Sequence, residues 1–239
     1  MKNEHTLSPL EQQLRAARLE RQEAGRDPAL HSARLALKTF QAARLAQTHA
    51  DLLAAPDTRQ AAQFFLEELY GAHDLSQRDT DLERIAPTMQ RVLPADALQT
   101  ITEAMQLDAL AERLDTAMAQ LLGPRFGEAD YADAYRRALT PADRARQLDL
   151  VQALGDSLSQ LVRVPMLSGT LMLMRGPARL AGLGSLQQFL ERGFSAFKRM
   201  KRPREFVAAV TGRERAIMQR LYAGHAAPFD INLPWGTCR

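Results

Sequence analysis

Two adjacent glutamates and a tyrosine sit in the apolar run Gln63-Phe64-Phe65-Leu66-Glu67-Glu68-Leu69-Tyr70-Gly71. At 100° per residue, Phe64, Phe65, Leu66, Leu69 and Tyr70 cover most of a helix circumference, and a helix apolar nearly all round belongs at the centre of a fold. On that wheel Glu68 projects between Phe64 and Phe65, and Glu67 between Tyr70 and Phe64. A carboxylate in such surroundings must pair with a cation, accept hydrogen bonds or take up a proton. The plain reading is a structural salt bridge to an arginine. The chemical reading is an acid that orients a polar ligand or moves a proton beside Tyr70. Arg192 is the candidate cation, because Gln187-Gln188-Phe189-Leu190-Glu191-Arg192-Gly193-Phe194 echoes the first run with Arg192 in the place of Glu68. The flanking residues do not align, so two amphipathic helices could produce the echo by chance. Gly193 would permit close helix approach. Glu67, Glu68, Tyr70 and Arg192 are the candidate ligand-binding residues.

A second constellation is Lys198-Arg199-Met200-Lys201-Arg202-Pro203-Arg204, five cations in seven residues ending at a proline that can open a helix. Such a run grips phosphates or carboxylates, and at a helix C-terminus it also offsets the dipole. Only Phe197 and Phe206 lie close by as aromatics, so a base-stacking surface is weakly supported. Lys198, Arg199, Lys201, Arg202 and Arg204 are the candidate partner-binding residues. An acidic protein is the favoured partner, ahead of nucleic acid or an anionic membrane surface. The neighbouring stretch 164–174, with Met166, Met172 and Met174, reads as an adaptable apolar contact surface or as core. Charge is uneven around a net +3: residues 64–133 hold 14 acidic and 5 basic side chains, and residues 163–220 hold 12 basic and 3 acidic. That asymmetry suits two attracting halves of one fold, or a basic surface for an acidic partner.

Other chemistries find little support. The residues three before His5, His31, His49, His73 and His225 are never glutamate, so the Glu-x-x-His pair of bundle metal sites is missing. His73-Asp74 beside Glu67 and Glu68 has ligand types without ligand spacing. Asp74, Asp79, Asp81 and Glu83 read as capping and dipole compensation at a helix start. Ala181-Gly182-Leu183-Gly184-Ser185 is an ordinary helix start rather than a phosphate loop. Cys238 is the single cysteine, which leaves no internal disulfide or cysteine metal site. No serine has a nucleophile elbow. The expectation is no catalytic residue, no metal and no cofactor.

The run Phe64-Phe65-Leu66-Glu67-Glu68-Leu69-Tyr70 resembles the motif that names the FFLEELY-motif family of uncharacterised bacterial proteins. The similarity continues at Gly71, Asp74, Arg78 and Asp79, at Met174-Arg175-Gly176-Pro177 and at Phe189-Leu190-Glu191-Arg192-Gly193-Phe194. The resemblance implies kinship over most of the chain. It transfers no activity and no catalytic residue.

The elements that must carry these residues are helices. The 239-residue chain is 46% apolar and 25% charged, enough for a buried core. Alanine, leucine, arginine, glutamine and glutamate dominate, and no period-two alternation persists. Ser8-Pro9-Leu10-Glu11, Asp27-Pro28, Asp57-Thr58-Arg59-Gln60 and Thr140-Pro141-Ala142-Asp143 are start signals. Gly25, Gly71, Gly123 and Gly224 are stop signals. The reading is an all-α multi-helix bundle of about ten helices, with two sub-bundles as a variant. Helices are predicted over 9–24, 28–54, 58–71, 79–92, 95–122, 128–138, 141–163, 166–174, 184–200 and 203–223. Residues 1–225 read as a single helical domain, and 226–239 as an extended tail whose aromatics dock or fray. The polar residues 1–5 do not read as a secretory leader, and no stretch reaches the ~20 apolar residues of a membrane span. A cytoplasmic location follows. The function expected is that of a non-enzymatic helical interaction or scaffold protein with a basic C-terminal surface. The alternative is a helical small-ligand binder or enzyme built on buried Glu67, Glu68, Tyr70 and Arg192.

Overall fold

Caps written into the sequence start the helices of the computed structural model, which describes residues 7–69, 76–92, 95–164 and 167–231. Ser8 and Glu11 form a reciprocal capping box at α1 (Pro9–Arg26), and the Asp27 carboxylate accepts the Ala29 and Leu30 N–H groups at α2 (Pro28–Thr48). Thr140 and Asp143 cap α8 (Pro141–Leu161) in the same reciprocal way. Between them lie α3 (Ala50–Ala54), α4 (Arg59–Phe64), a π-helical turn (Phe65–Leu69), α5 (Ser76–Val92), α6 (Ala95–Leu122) and α7 (Glu128–Ala138). The chain continues through α9 (Leu167–Leu173), α10 (Arg175–Leu180), α11 (Gly184–Arg199) and α12 (Pro203–Tyr222). No strand occurs among the described residues, and the all-α bundle is the observed architecture.

Three apolar clusters form the core. The first joins α2, α6, α7 and α12 through Leu37, Met118, Tyr131, Ile217 and Leu221. The second joins α3, α4, α8, α11 and α12 through Leu52, Ala61, Phe197, Phe206 and Val207. The third joins α1, α5, α6 and α11 through Leu10, Leu14, Leu82, Met105 and Leu186. Helices α6, α11 and α12 each serve two clusters, so the layers share walls. Helices α8 and α12 touch closely enough that a Cβ on Gly155 would lie 2.6 Å from both Val207 methyls.

Several local expectations are corrected. The helix expected over 28–54 is interrupted at His49, between α2 and α3, where Arg213 of α12 donates to the Thr48 carbonyl at 3.1 Å. The helix over 58–71 widens into the π turn after Phe64. Asp57 caps nothing at α4: its carboxylate accepts the Lys201 N–H at 3.1 Å, and the Thr58 hydroxyl turns back to the Leu52 carbonyl at 2.7 Å. Helix α1 runs through Gly25 and stops at Asp27, whereas Gly123 and Gly224 do take the left-handed conformation of a C-terminal cap. Residues 175–180 are helical because Pro177 sits in the first turn, where its missing N–H is harmless. Residues 226–231 form turns rather than an extended tail. Phe229 does dock, 6.3 Å from the Phe40 ring and 5.8 Å from that of Tyr131. Tyr70, Gly71, His73, Asp74, Met166, Trp235 and Cys238 lie outside the described residues.

Candidate interaction surface

The basic run folds as the turn between α11 and α12, and its residues divide cleanly. Met200 and Pro203 are buried, while Lys198, Arg199, Lys201, Arg202 and Arg204 are all exposed. The turn is anchored from inside. Phe197 and Phe206 flank it and pack edge to face with ring centroids 6.4 Å apart, and Asp57 holds the Lys201 backbone from the α3–α4 loop. Both phenylalanines are buried, so neither offers a face on which a base could stack. Lys198 donates to the Ser168 hydroxyl at 2.5 Å and lies 5.7 Å from the Phe194 ring centroid. Arg202 meets Glu205 at 3.0 Å.

Lys198 and Arg192 also line an open groove of about 480 Å³ between α4, α9 and α11. Its one acid among the described residues, Glu191, receives paired hydrogen bonds from Arg175 at 2.6–2.9 Å and another from Gln187 at 2.9 Å. The Arg175 and Gln187 hydrogen bonds hold the Glu191 carboxyl down to about 2, so it is ionised at neutral pH. The Arg175 guanidinium is correspondingly raised by Glu191.

The motif helix packs against α11. Phe64 meets Phe189 with centroids 5.4 Å apart, and a Cβ on Gly193 would come within 2.8 Å of the Phe64 ring. The proposed ligand set fares differently. Glu67 is exposed rather than buried, and Arg192 is exposed on α11. The Glu68 side chain and Tyr70 lie outside the described residues. In an α-helix, consecutive side chains diverge by 100°. Here Phe64, the last residue of α4, and Phe65, the first of the π turn, both line an apolar cavity of about 40 Å³ with Leu154, Leu158 and Val207. Among the described residues no titratable side chain lines that cavity.

Buried charge lies elsewhere, where sequence reasoning did not look. Arg34, Lys38 and Gln41 form one stripe of α2, facing Asp108, Glu112 and Asp115 on α6. Arg34 and Lys38 (2.9 Å) both bind Glu112, and Gln41 donates to Asp115 at 3.1 Å. Arg21 of α1 bridges Asp79, Asp108 (2.5 Å) and Glu112 (3.4 Å), and Arg78 pairs with Asp79 at 3.1 Å and Asp108 at 2.9 Å. Asp79 and Asp81 are buried, Asp79 in the first turn of α5, and Glu83 meets Arg18 at 2.7 Å. Burial pushes the Asp108 carboxyl up, but Arg78 and Arg21 outweigh it and leave the group below its ordinary range. Burial lowers Arg34 and Lys38. The matching i, i+4, i+7 spacing of the two polar stripes was the available signal.

A second network ties α2 and α3 to α12. Glu214 meets Arg44 at 2.7 Å and His49 Nε2 at 3.2 Å, and Arg213 clasps Asp51 at 2.6–2.7 Å. His49 Nδ1 faces an Arg213 donor at 3.4 Å, and its Nε2 faces Glu214. Burial pushes the Glu214 carboxyl up, but Arg44 and His49 prevail and bring it to about 2. These networks cross-link helices. Among the described residues no group of three His, Cys, Asp or Glu side chains could hold a metal ion, and no helix is long and apolar enough to cross a membrane.

No curated protein and no solved structure matches the chain. One family does, over residues 20–228, a span that runs from α1 through α12 to the tail turn and includes both networks and the basic turn. The chain is therefore a member of the family described as Domain of unknown function (DUF8198).

Proposed function

We propose that this protein is a non-enzymatic helical interaction protein whose basic turn at Lys198, Arg199, Lys201, Arg202 and Arg204 takes an acidic protein partner. One observation carries the reading: five exposed cations surround a turn whose Met200 and Pro203 are buried. A pre-positioned charge cluster loses little entropy on binding and steers an oppositely charged partner. Within its family we place the chain with the FFLEELY-motif bacterial proteins, on the seven-residue match at 64–70. We also read it as a cytoplasmic, single-domain protein over 1–225. The test is co-isolation from host extract by the wild type and by a variant with glutamine at all five positions. Loss of a salt-sensitive partner in the variant is the expected result, and an unchanged set of co-isolated proteins overturns the reading.

A second reading, a small-ligand binder or enzyme using Glu67, Glu68, Tyr70 and Arg192, draws on the π turn at the motif, since such turns recur at functional sites. It predicts that Glu68→Gln abolishes ligand binding without lowering the melting temperature. A lowered melting temperature alone makes the carboxylate structural.

A further inference from the structure

We infer that the corner built by α9 and α10 is a second contact surface, one that seats the protein on an anionic lipid bilayer. Among the described residues, the most exposed large apolar side chains lie there. Leu173 is 81% exposed, Leu180 92%, Met172 60% and Met174 48%, and Val164 and Leu190 stand nearby in the chain. Scattered single leucines on a surface need no explanation, but a clustered exposed patch does.

The shape of the patch selects its occupant. Met172 and Leu173 end α9 and diverge by about 100°, and Met174 follows as the residue that opens α10. A partner helix or a protein groove covers one stripe and would leave part of that set wet. A bilayer surrounds a protruding tip on all sides. Leu173 and Leu180 project almost fully into solvent, a convex form that suits insertion among lipid chains.

Charge agrees with this choice. From 163 to 192, outside the basic turn, the sequence holds four cations and one carboxylate, Glu191, which Arg175 and Gln187 already engage. Arg163, Arg175, Arg179 and Arg192 are all exposed. Such a collar meets phosphate and serine headgroups while the leucines enter the acyl boundary. No described helix can span a bilayer, so the contact is peripheral. The lipid contact rests on Leu173 and Leu180 rather than on the basic turn, and either surface can fail without the other.

The experiment is co-sedimentation of the full chain with vesicles of phosphatidylcholine alone, and with phosphatidylserine added. Binding to the anionic vesicles, weakened by salt, is expected. Leu173→Ser/Leu180→Ser should lose about tenfold per leucine while keeping the wild-type melting temperature and the wild-type co-isolated partner. Arg163→Gln/Arg179→Gln should lose about fivefold per arginine. Three results overturn the inference: no sedimentation with anionic vesicles, equal sedimentation by the leucine variant, or a wild-type dimer in ultracentrifugation that the leucine variant dissolves. The last would make a second copy the occupant.

Discussion

Replacing Glu214 by glutamine removes one charge from a site that is almost closed to water. Its carboxyl is held at about 2 against an ordinary 4.5. A tenfold change in proton affinity corresponds to about 1.4 kcal/mol, so the linked stability is about 3 kcal/mol at neutral pH. The folded carboxyl is the more acidic one, so this contribution is complete above about pH 5 and is lost as pH falls from about 4.5 to about 2. Glutamine imitates the protonated acid, because Arg44 faces a neutral partner in both cases. The wild type and Glu214→Gln should therefore differ by about 3 kcal/mol at pH 7, or roughly 6–12 °C in melting temperature, and converge in acid. Urea unfolding at a series of pH values reads both ends of the curve. A gap that stays constant with pH, or one below about 1 kcal/mol at neutral pH, refutes the electrostatic reasoning.

Two further perturbations probe the same frame. Glu112→Gln leaves Arg34 and Lys38 without their shared carboxylate and should cost about 3–5 kcal/mol, read as a lower urea midpoint at unchanged slope. Replacing Arg34, Lys38 and Glu112 together by methionine and leucine should cost less than that single change, since no orphan charge remains. Gly155→Ala drives a methyl into Val207 and should destabilise by about 1–2 kcal/mol, overpacking set against the helix-propensity gain. Adding Val207→Ala to that variant should recover part of the loss in a double-mutant cycle.

Helix starts were legible because the caps are local: Ser8 with Glu11, and Thr140 with Asp143, need no tertiary partner. Asp57 showed the limit of that logic. It has the right type before a helix, yet its carboxylate serves a backbone N–H 144 positions away. The exposed basic turn was legible as a run of cations, but its rigidity comes from Met200 and Pro203 facing inward, which charge spacing does not encode. Glu67 was misplaced because the wheel assumed 100° per residue through Leu69, and the π turn changes the angle after Phe64. The polar stripe on α2 looks like a solvated face until α6 supplies its complement. Pairing between distant helices is the information a single amphipathic pattern lacks. The helix at 175–180 escaped notice because Gly176-Pro177 reads as a break, although proline in a first turn is harmless.

The account turns on whether the α11–α12 turn is where another molecule sits. A photo-crosslinking residue placed at Lys201 and, separately, at Gln120 on the exposed side of α6 tests this inside the living host. The prediction is an adduct with an acidic protein from position 201 and none from position 120. Equal adducts from both positions, or none from 201, would contradict it.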